Sequence, residues 1–324
     1  MSQFQYSMKI HKIDHLSKLY DAALNVRNSV WPNFPEDREE WIHYDINYDP
    51  KYFYQRYVIT NNRKVIATGV VCEPWWSHKA GKIHFEINVL QEYRKRGVGT
   101  KCIEYIEDLL KTRKGNRLTV NTREDELDGV QFLENRDFSV ILREPESVLD
   151  VRDFDFNRFK PANKKIMDAR IQIKSLFELQ STDANCKHNL YELYCKIMRD
   201  VPSEDEHTER TLENFEKQKL TAPQFDPRAN FIALDNGQYV GLSSLWRQKS
   251  RPKVLWTDLT GVIRSHRQRG IALALKLMTI SFAIQFGADH IETDNEENNP
   301  MLRINQLLGF VPRSTWLTLE KQYR

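Results

Sequence analysis

The sequence contains few cysteines and no long apolar segment. Its cysteines are scattered and show no spacing typical of metal ligands: Cys72, Cys102, Cys186 and Cys195. Such thiols are typical of a reduced, cytoplasmic protein, with Cys102 as a packing residue rather than a nucleophile. No apolar run approaches the ~20 residues of a membrane-spanning helix, and the first residues lack the apolar core of a signal peptide. We therefore expect a cytoplasmic protein with no membrane partner and no metal.

A strong excess of charge of either sign is also missing. The 48 lysines and arginines nearly balance the 45 aspartates and glutamates, which leaves a net charge of +3. A protein that binds nucleic acid usually shows a strongly basic face, so we expect no nucleic-acid partner. The 324 residues are enough for two domains of ordinary size. The sequence leaves the oligomeric state open.

A basic turn with a glycine lies between a strand and a helix in the second half of the chain. Residues 255–261 have strand character, and apolar residues recur at helical spacing over 273–286. The first N–H groups of a helix have no partner in the helix, and the helix dipole is positive there. A diphosphate can bind at such a turn, since Gly270 has no Cβ in the way and Arg267 and Arg269 add charged donors. One turn of this kind is common and predicts little by itself.

The first half of the chain contains a second copy of this pattern. Eight positions separate Val89 from Gly97, as they separate Val262 from Gly270. Arg94 in the first turn occupies the position of Arg267 in the second turn. Two matching turns favour a phosphate site more strongly than one.

The repeat extends on both sides of the two turns. Gly69 lies 28 residues before the first turn glycine, and Gly241 lies 29 before the second. Both belong to predicted hairpins, whose turns contain Asn-Asn and Asp-Asn-Gly. Phe138 follows its turn glycine by 41 residues and Phe310 follows by 40. Such concerted spacing indicates two copies of one domain.

Composition places the junction between the copies. Residues 142–159 carry charges of both signs, and Pro161 follows them. We therefore predict an N-terminal domain over residues 1–150, a linker over 151–168 and a C-terminal domain over 169–324.

Local signals place further helices. Residues 15–30 have helical periodicity, and residues 38–41 and 52–57 carry aromatic and charged side chains over a second predicted helix. Ser203 with Glu206 fits a capping box at the start of a later helix.

The pattern Arg-x-x-Gly-x-Gly/Ala after a strand, followed by a helix, a strand and a Leu-Gly-Phe-like ending, resembles the GCN5-related N-acetyltransferase (GNAT) family. The resemblance covers nearly the whole chain, once per half, as in tandem members of that family. It implies an α/β (mixed α+β) fold with two tandem GNAT-like domains, each a mixed, mainly antiparallel sheet flanked by helices. It also implies acetyl-CoA as cosubstrate. The positions implied for the coenzyme are Val89, Arg94, Arg96, Gly97, Val98, Gly99 and Thr100 in the first copy, and Val262, Arg267, Arg269, Gly270, Ile271, Ala272, Asn298 and Asn305 in the second.

Two carboxylates are candidates for the general base. In this family an amine attacks the thioester directly and must first lose a proton, and a backbone N–H near the strand end stabilises the oxyanion. Glu86 lies opposite the apolar residues of its strand, and Asp258 lies four residues before Val262. Other interpretations stay open: a surface or cross-strand ion pair for Glu86, and an ion pair with a neighbouring arginine for Asp258.

Both copies depart from the family at the tyrosine that protonates the leaving thiolate in many relatives. Leu133 and Asn305 occupy that position, and Asp137 stands where glycine is usual. We predict an acetyl-CoA-dependent N-acetyltransferase for a primary amine of a small molecule, with the C-terminal copy favoured as the catalyst. The alternative is an acyl-CoA-binding or regulatory protein in which one or both copies have lost turnover.

Overall fold

The computed structural model describes residues 8–323, apart from the side chains of residues 162–165. These residues divide into two compact units. The N-terminal unit contains residues 8–142 and 317–323, and the C-terminal unit contains residues 143–316. The predicted division places residues 143–150 in the N-terminal domain and residues 317–323 in the C-terminal domain. In the structure, residues 143–150 belong to the C-terminal unit and residues 317–323 to the N-terminal unit. That residues 1–150 and residues 169–324 each fold as an independent domain stays a prediction.

The N-terminal unit is built on a sheet in which strands that follow each other along the chain are neighbours. Its elements are β1 (Met8–Ile13), α1 (Tyr20–Val30), α2 (Arg38–Ile46), β2 (Tyr54–Asn61), β3 (Lys64–Cys72), β4 (Lys82–Val89), α3 (Val98–Thr112), β5 (Arg117–Arg123) and α4 (Leu127–Glu134). The strand order is β1-β2-β3-β4-β5, and residues 317–322 of the final strand lie beside β5. All pairs from β1 to β4 are antiparallel, whereas β4 and β5 are parallel.

Both faces of this sheet are covered, which the alternation of side chains along β2 shows. Tyr57 and Ile59 pack into a core with α3 and α4, whereas Val58 between them packs with Tyr20 and Trp41 of the first two helices. Successive residues of a strand point to opposite faces. The continuous burial of residues 56–60 in β2 therefore reflects packing on both sides.

The C-terminal unit repeats this order of elements. They are β6 (Ser139–Asp150, in this unit from residue 143), α5 (Lys160–Asp168), β7 (Gln172–Ser175), α6 (Leu176–Thr182), α7 (Cys186–Met198), α8 (Leu212–Phe215), β8 (Asn230–Asp235), β9 (Gln238–Arg247), β10 (Val254–Val262), α9 (Ile271–Phe286), β11 (His290–Asp294), α10 (Pro300–Leu308) and β12 (Val311–Gln322, in this unit to residue 316). A π-helical turn, Glu216–Leu220, continues α8. The strand order is β7-β8-β9-β10-β11-β6. Of these pairs, β10 with β11 is parallel and the others are antiparallel.

The fold class is confirmed. Each unit has a mixed, mainly antiparallel sheet flanked by helices, and its one parallel pair is joined through a helix, α3 in one unit and α9 in the other. The predicted linker is largely helical, since Phe156–Phe159 forms a 3-10 turn and α5 follows it directly.

Two local predictions are wrong. The second predicted helix ends at Ile46, and residues 54–57 belong to β2. Ser203 caps no helix, because its hydroxyl donates to the carbonyl oxygen of Asp205. The capping box of this unit is formed by Ser175 and Glu178 at the start of α6.

No helix within residues 8–323 is both long and apolar enough to cross a lipid bilayer.

Candidate active site

Two turns of matching backbone conformation connect β4 to α3 and β10 to α9. Gly97 and Gly270 each have φ near +83° and directly precede their helix. Two residues earlier, Lys95 and Gln268 also have positive φ, at 57° and 60°. Only glycine adopts the left-handed region freely. The backbone of the turn thus accounts for the glycine that the sequence repeats.

The first turn of each helix presents unused backbone donors. The N-cap residues of α3 and α9, Gly97 and Gly270, make no side-chain capping bond. The first backbone bonds of the helices are donated by Lys101 to Gly97, at 3.0 Å, and by Ala274 to Gly270, at 3.1 Å. The backbone N–H groups that precede Lys101 and Ala274 in these helices have no carbonyl partner within the helix. A Cβ on Gly97 would meet no atom within 4 Å. This open, electropositive space fits a diphosphate.

The predicted turn arginines have a structural role. The Nε atom of Arg94 donates to the carbonyl oxygen of Val89 at 3.3 Å, and that of Arg267 donates to Val262 at 3.0 Å. Each guanidinium thereby closes its turn onto the last residue of the preceding strand.

The other two predicted arginines lie against neighbours of their own unit. Arg269 donates to Asp235 at 3.2 Å. Arg96 lies near the ring of Tyr93, 6.0 Å from its centroid.

The parallel strands of each unit separate beside these turns. The pairing of β4 and β5 runs from Lys82–Arg117 to Phe85–Val120. The pairing of β10 and β11 runs from Val254–His290 to Trp256–Glu292. Beyond the last pairs, residues 86–89 and 257–262 continue to the helix starts. Their backbone groups on that edge are open to a ligand that lies along the strand.

Glu86 is the first residue of β4 beyond the paired segment, so the structure places it where the strands part. Its Oε1 atom accepts a hydrogen bond from Nδ2 of Asn88 at 2.6 Å, and Oδ1 of Asn88 accepts from Nε1 of Trp31 at 2.7 Å. The Glu86 charge also acts on Glu36, whose pKa is raised by loss of solvation and further by this neighbour.

Asp258 lies in a β-bulge, since the register of β10 against β9 shifts between Thr257 and Leu259. The extra residue turns its carboxylate toward Ser244, whose hydroxyl donates to Oδ2 at 2.6 Å. The same oxygen accepts from the ammonium of Lys219, in place of the arginine that the sequence suggested. Burial lowers the pKa of that lysine.

The profile of the acetyltransferase (GNAT) family matches residues 18–138 and, a second time, residues 187–310. The chain belongs to the GNAT family. It is therefore an acyltransferase of the kind that uses an acyl-CoA as cosubstrate.

Solved structures share the fold of this GNAT protein. A tandem GNAT protein from the clavulanic acid biosynthesis pathway is 16% identical with a TM-score of 0.76, over 98% of each chain. A GCN5-related N-acetyltransferase from Sphaerobacter thermophilus is 14% identical with a TM-score of 0.68, over 98% of this chain and 96% of its own. N-myristoyltransferase from Saccharomyces cerevisiae with bound myristoyl-CoA is 10% identical with a TM-score of 0.64, over 98% and 83%. No curated protein sequence matches the chain.

The two positions where many GNAT relatives carry a tyrosine are buried. Leu133 belongs to the apolar core of the N-terminal unit. Asn305 is 0% exposed and its Nδ2 atom donates to Oδ1 of Asn295 at 2.5 Å. Its Oδ1 atom has no hydrogen-bond partner within residues 8–323. Asn298 is exposed, and its side chain donates to Glu296 at 2.8 Å.

Sequence reasoning missed a group of carboxylates where β11 leaves β10. Asp294 is opposite Glu146 in the pairing of β11 with β6, and Glu144 is two residues further along the same face of β6. Burial raises the pKa of Glu144 to about 8, with added repulsion from Asp294, Glu204 and Glu296. Burial, together with Glu146, raises the pKa of Asp294 to about 6.

Arginines neutralise the neighbouring carboxylates of that face. Arg251 donates to both oxygens of Glu292, at 2.8 and 2.6 Å, and Arg313 donates to the same carboxylate at 2.8 Å. The only sequence signal was acidic residues at alternate positions of two segments, which strand pairing then unites. Within residues 8–323, no three His, Cys, Asp or Glu side chains are arranged as metal ligands would be.

Proposed function

We propose that the protein is an acetyl-CoA-dependent N-acetyltransferase for a primary amine of a small molecule, and that the C-terminal unit performs the transfer. The observation that carries the proposal is an uncapped helix start beside a pair of separating strands, present in each unit. The helix start suits the diphosphate of the coenzyme, and the strand edge suits its extended arm. The coenzyme supplies the activated acetyl thioester.

Carboxylates of the C-terminal unit support an amine as the acceptor. Burial raises the pKa of Glu144, and the nearby charges of Asp294, Glu204 and Glu296 raise it further. A group of negative charges attracts an ammonium ion and concentrates it near the site.

The same group supports a division of acid and base roles. A carboxyl group with a pKa near 6 is mostly ionised at pH 7 and suits a base, whereas one near 8 is mostly protonated and suits an acid. Asp294 thus takes a proton from the amine, and Glu144 donates one to the departing thiolate. This assignment supplies an acid where tyrosine is absent from both copies.

Asp258 stays the alternative base of this unit. It lies on the strand that leads to the turn, but its Oδ2 atom already accepts from Lys219 and Ser244. A carboxylate that stabilises a buried ammonium loses that interaction when it is protonated. Asp294 is therefore the better proposal for the base.

The N-terminal unit supports a second candidate function, which is coenzyme binding without turnover. Leu133 gives this unit no acid at the tyrosine position. Glu86 stays a candidate base, but its carboxylate accepts a hydrogen bond from Asn88.

Release of free thiol from acetyl-CoA, measured across a panel of small amines, tests the proposal. We expect release that depends on the amine, and its loss in the Asp294→Asn variant. If acetyl-CoA binds saturably but no amine causes release of free thiol, coenzyme binding without turnover would be the remaining function. Release that survives Asp294→Asn but is lost in a stably folded variant with both Asp258→Asn and Lys219→Met would transfer the base role to Asp258.

A further inference from the structure

Two carboxylates hold the basic side chains of the second turn. Asp200 lies two residues after the end of α7 and accepts from Nε of Arg264, at 2.9 Å to Oδ1 and 3.1 Å to Oδ2. Its Oδ2 atom also accepts from the guanidinium of Arg267. The hydrogen bond from Arg264 holds the pKa of Asp200 below its usual value, so the carboxylate is ionised at neutral pH.

The second carboxylate is Asp235, at the end of β8. Its Oδ2 atom lies 3.1 Å from Nε2 of His266 and accepts from Arg269 at 3.2 Å. Four basic side chains around this turn therefore share two acidic partners.

The carboxylates around the first turn are more exposed than those around the second. The charge of Arg96 acts on Glu92, whose side chain is 56% exposed. Arg94 approaches Glu126 only to 4.0 Å. Lys95 contacts Asp128 at 3.1 Å, but Glu126 and Asp128 are 37% and 44% exposed, whereas Asp200 and Asp235 are 15% and 20% exposed. An ion pair with an exposed carboxylate is worth little because water and salt screen it. At the hairpin position that Asp235 occupies in the second copy, the first copy has the neutral Asn61.

We propose that Asp200 and Asp235 set a lower affinity for the coenzyme at the second turn than at the first. This inference rests on the proposed function. An incoming diphosphate must share the arginines with carboxylates already hydrogen-bonded to them, and it also meets two fixed negative charges. Since every charged contact that the diphosphate gains replaces one that the turn had before, the net gain is small. The neutral backbone donors of the two helix starts are equivalent and do not cancel this difference.

Unequal affinity suits a protein in which one copy turns over. A copy that transfers acetyl groups must release coenzyme A after each cycle, and a weaker diphosphate contact speeds that release. The first turn then retains its coenzyme while the second exchanges it.

Titration calorimetry of the full-length chain with acetyl-CoA tests the inference. We expect a two-site isotherm in which Asp200→Asn and Asp235→Asn each tighten only the weaker site, by about twofold to fivefold, the range that pairs of this exposure allow. Asp235→Asn also reproduces the asparagine of the first copy. Asp153→Asn, an exposed aspartate of the same unit, removes the same charge away from the turn and should leave both sites unchanged.

The Gly97→Glu background isolates the second site and shows that the tightened site is the one at α9. Unchanged or weaker binding in both asparagine variants would overturn the inference, because the carboxylates would then orient the arginines for the diphosphate. Two sites of equal affinity in the unmodified protein would overturn it as well. An unmodified protein that binds no acetyl-CoA at either turn would instead refute the proposed function itself, and the inference with it.

Discussion

The ammonium of Lys276 lies 5.1 Å from the centre of the Phe310 ring, in the interior of the C-terminal unit. This lysine is 3% exposed, and burial lowers its pKa to about 7. The first copy has Ile103 at the same distance from its turn glycine, six residues after it. An amine has thus replaced an alkyl group at a core position of the repeat.

The Lys276→Ile variant should be more stable than the unmodified protein at pH 7. The unfolded lysine binds a proton near pH 10.5 and the folded one only near pH 7, so the free energy of unfolding of the unmodified protein falls as pH decreases between these values. We expect a gain on the order of 3 kcal/mol at pH 7 that shrinks toward pH 10. Urea unfolding at both pH values measures this. A gain of equal size at both values would show that packing, and not the proton, is responsible.

Substitution of a turn glycine by glutamate should abolish one coenzyme site. In Gly97→Glu or Gly270→Glu, the side chain enters the space of the diphosphate, and its charge repels the anion. Calorimetry should show the loss of one site per substitution. Gly287→Glu is the matched control, because Gly287 also has a positive φ, +81°, with no atom nearer than 4.0 Å to a Cβ, but lies at the opposite end of α9. Intact stoichiometry in both turn variants would reject the diphosphate assignment.

The rate of transfer should depend on pH as a bell-shaped curve. A base with a pKa of about 6 must lose its proton, and an acid with a pKa of about 8 must keep its own. The apparent kcat/KM, which reports the pKa values of the free enzyme, should therefore rise through pH 6 and fall through pH 8, and these values belong to the coupled pair. Glu144→Gln should remove the fall at high pH together with most of the rate. A profile flat from pH 5 to pH 9 would contradict these roles for Asp294 and Glu144.

The Asp258→Asn variant should lose stability, because it leaves the buried ammonium of Lys219 without its carboxylate. Loss of one partner of a buried pair costs about 3–5 kcal/mol, whereas Asp258→Asn combined with Lys219→Met should recover most of this. Urea unfolding compares the single and double variants. If the recovered double variant transfers acetyl groups at the normal rate, Asp258 is structural. A stable but inactive double variant would support the base role.

The two glycine turns could be predicted from the sequence because their backbone requirements are local. A residue with left-handed backbone conformation directly before a helix favours glycine. The end of the strand, the turn and the start of the helix all lie within about eight residues of the chain. The hairpins were equally accessible, since two-residue turns such as the one at Asn236 have a strong sequence signature.

Competing local signals explain the two errors. Residues 54–57 have the aromatic and charged composition of an amphipathic helix, but their backbone pairs with β1 and β3. Pairing and burial outweigh weak helical propensity. Ser203 and Glu206 have the spacing of a capping box, yet no apolar helix follows directly, whereas Ser175 and Glu178 precede one.

The sequence by itself determined that the chain contains one domain pattern twice, because each turn, hairpin and helix start is specified by neighbours within about ten residues. Tertiary structure alone decided which charges meet. Asp200 reaches Arg264 across 64 residues, and Asp294 faces β6 across a strand pair. It also decided that residues 317–323 complete the N-terminal unit. Such contacts depend on where the backbone brings distant segments together, and no local pattern of residues encodes that.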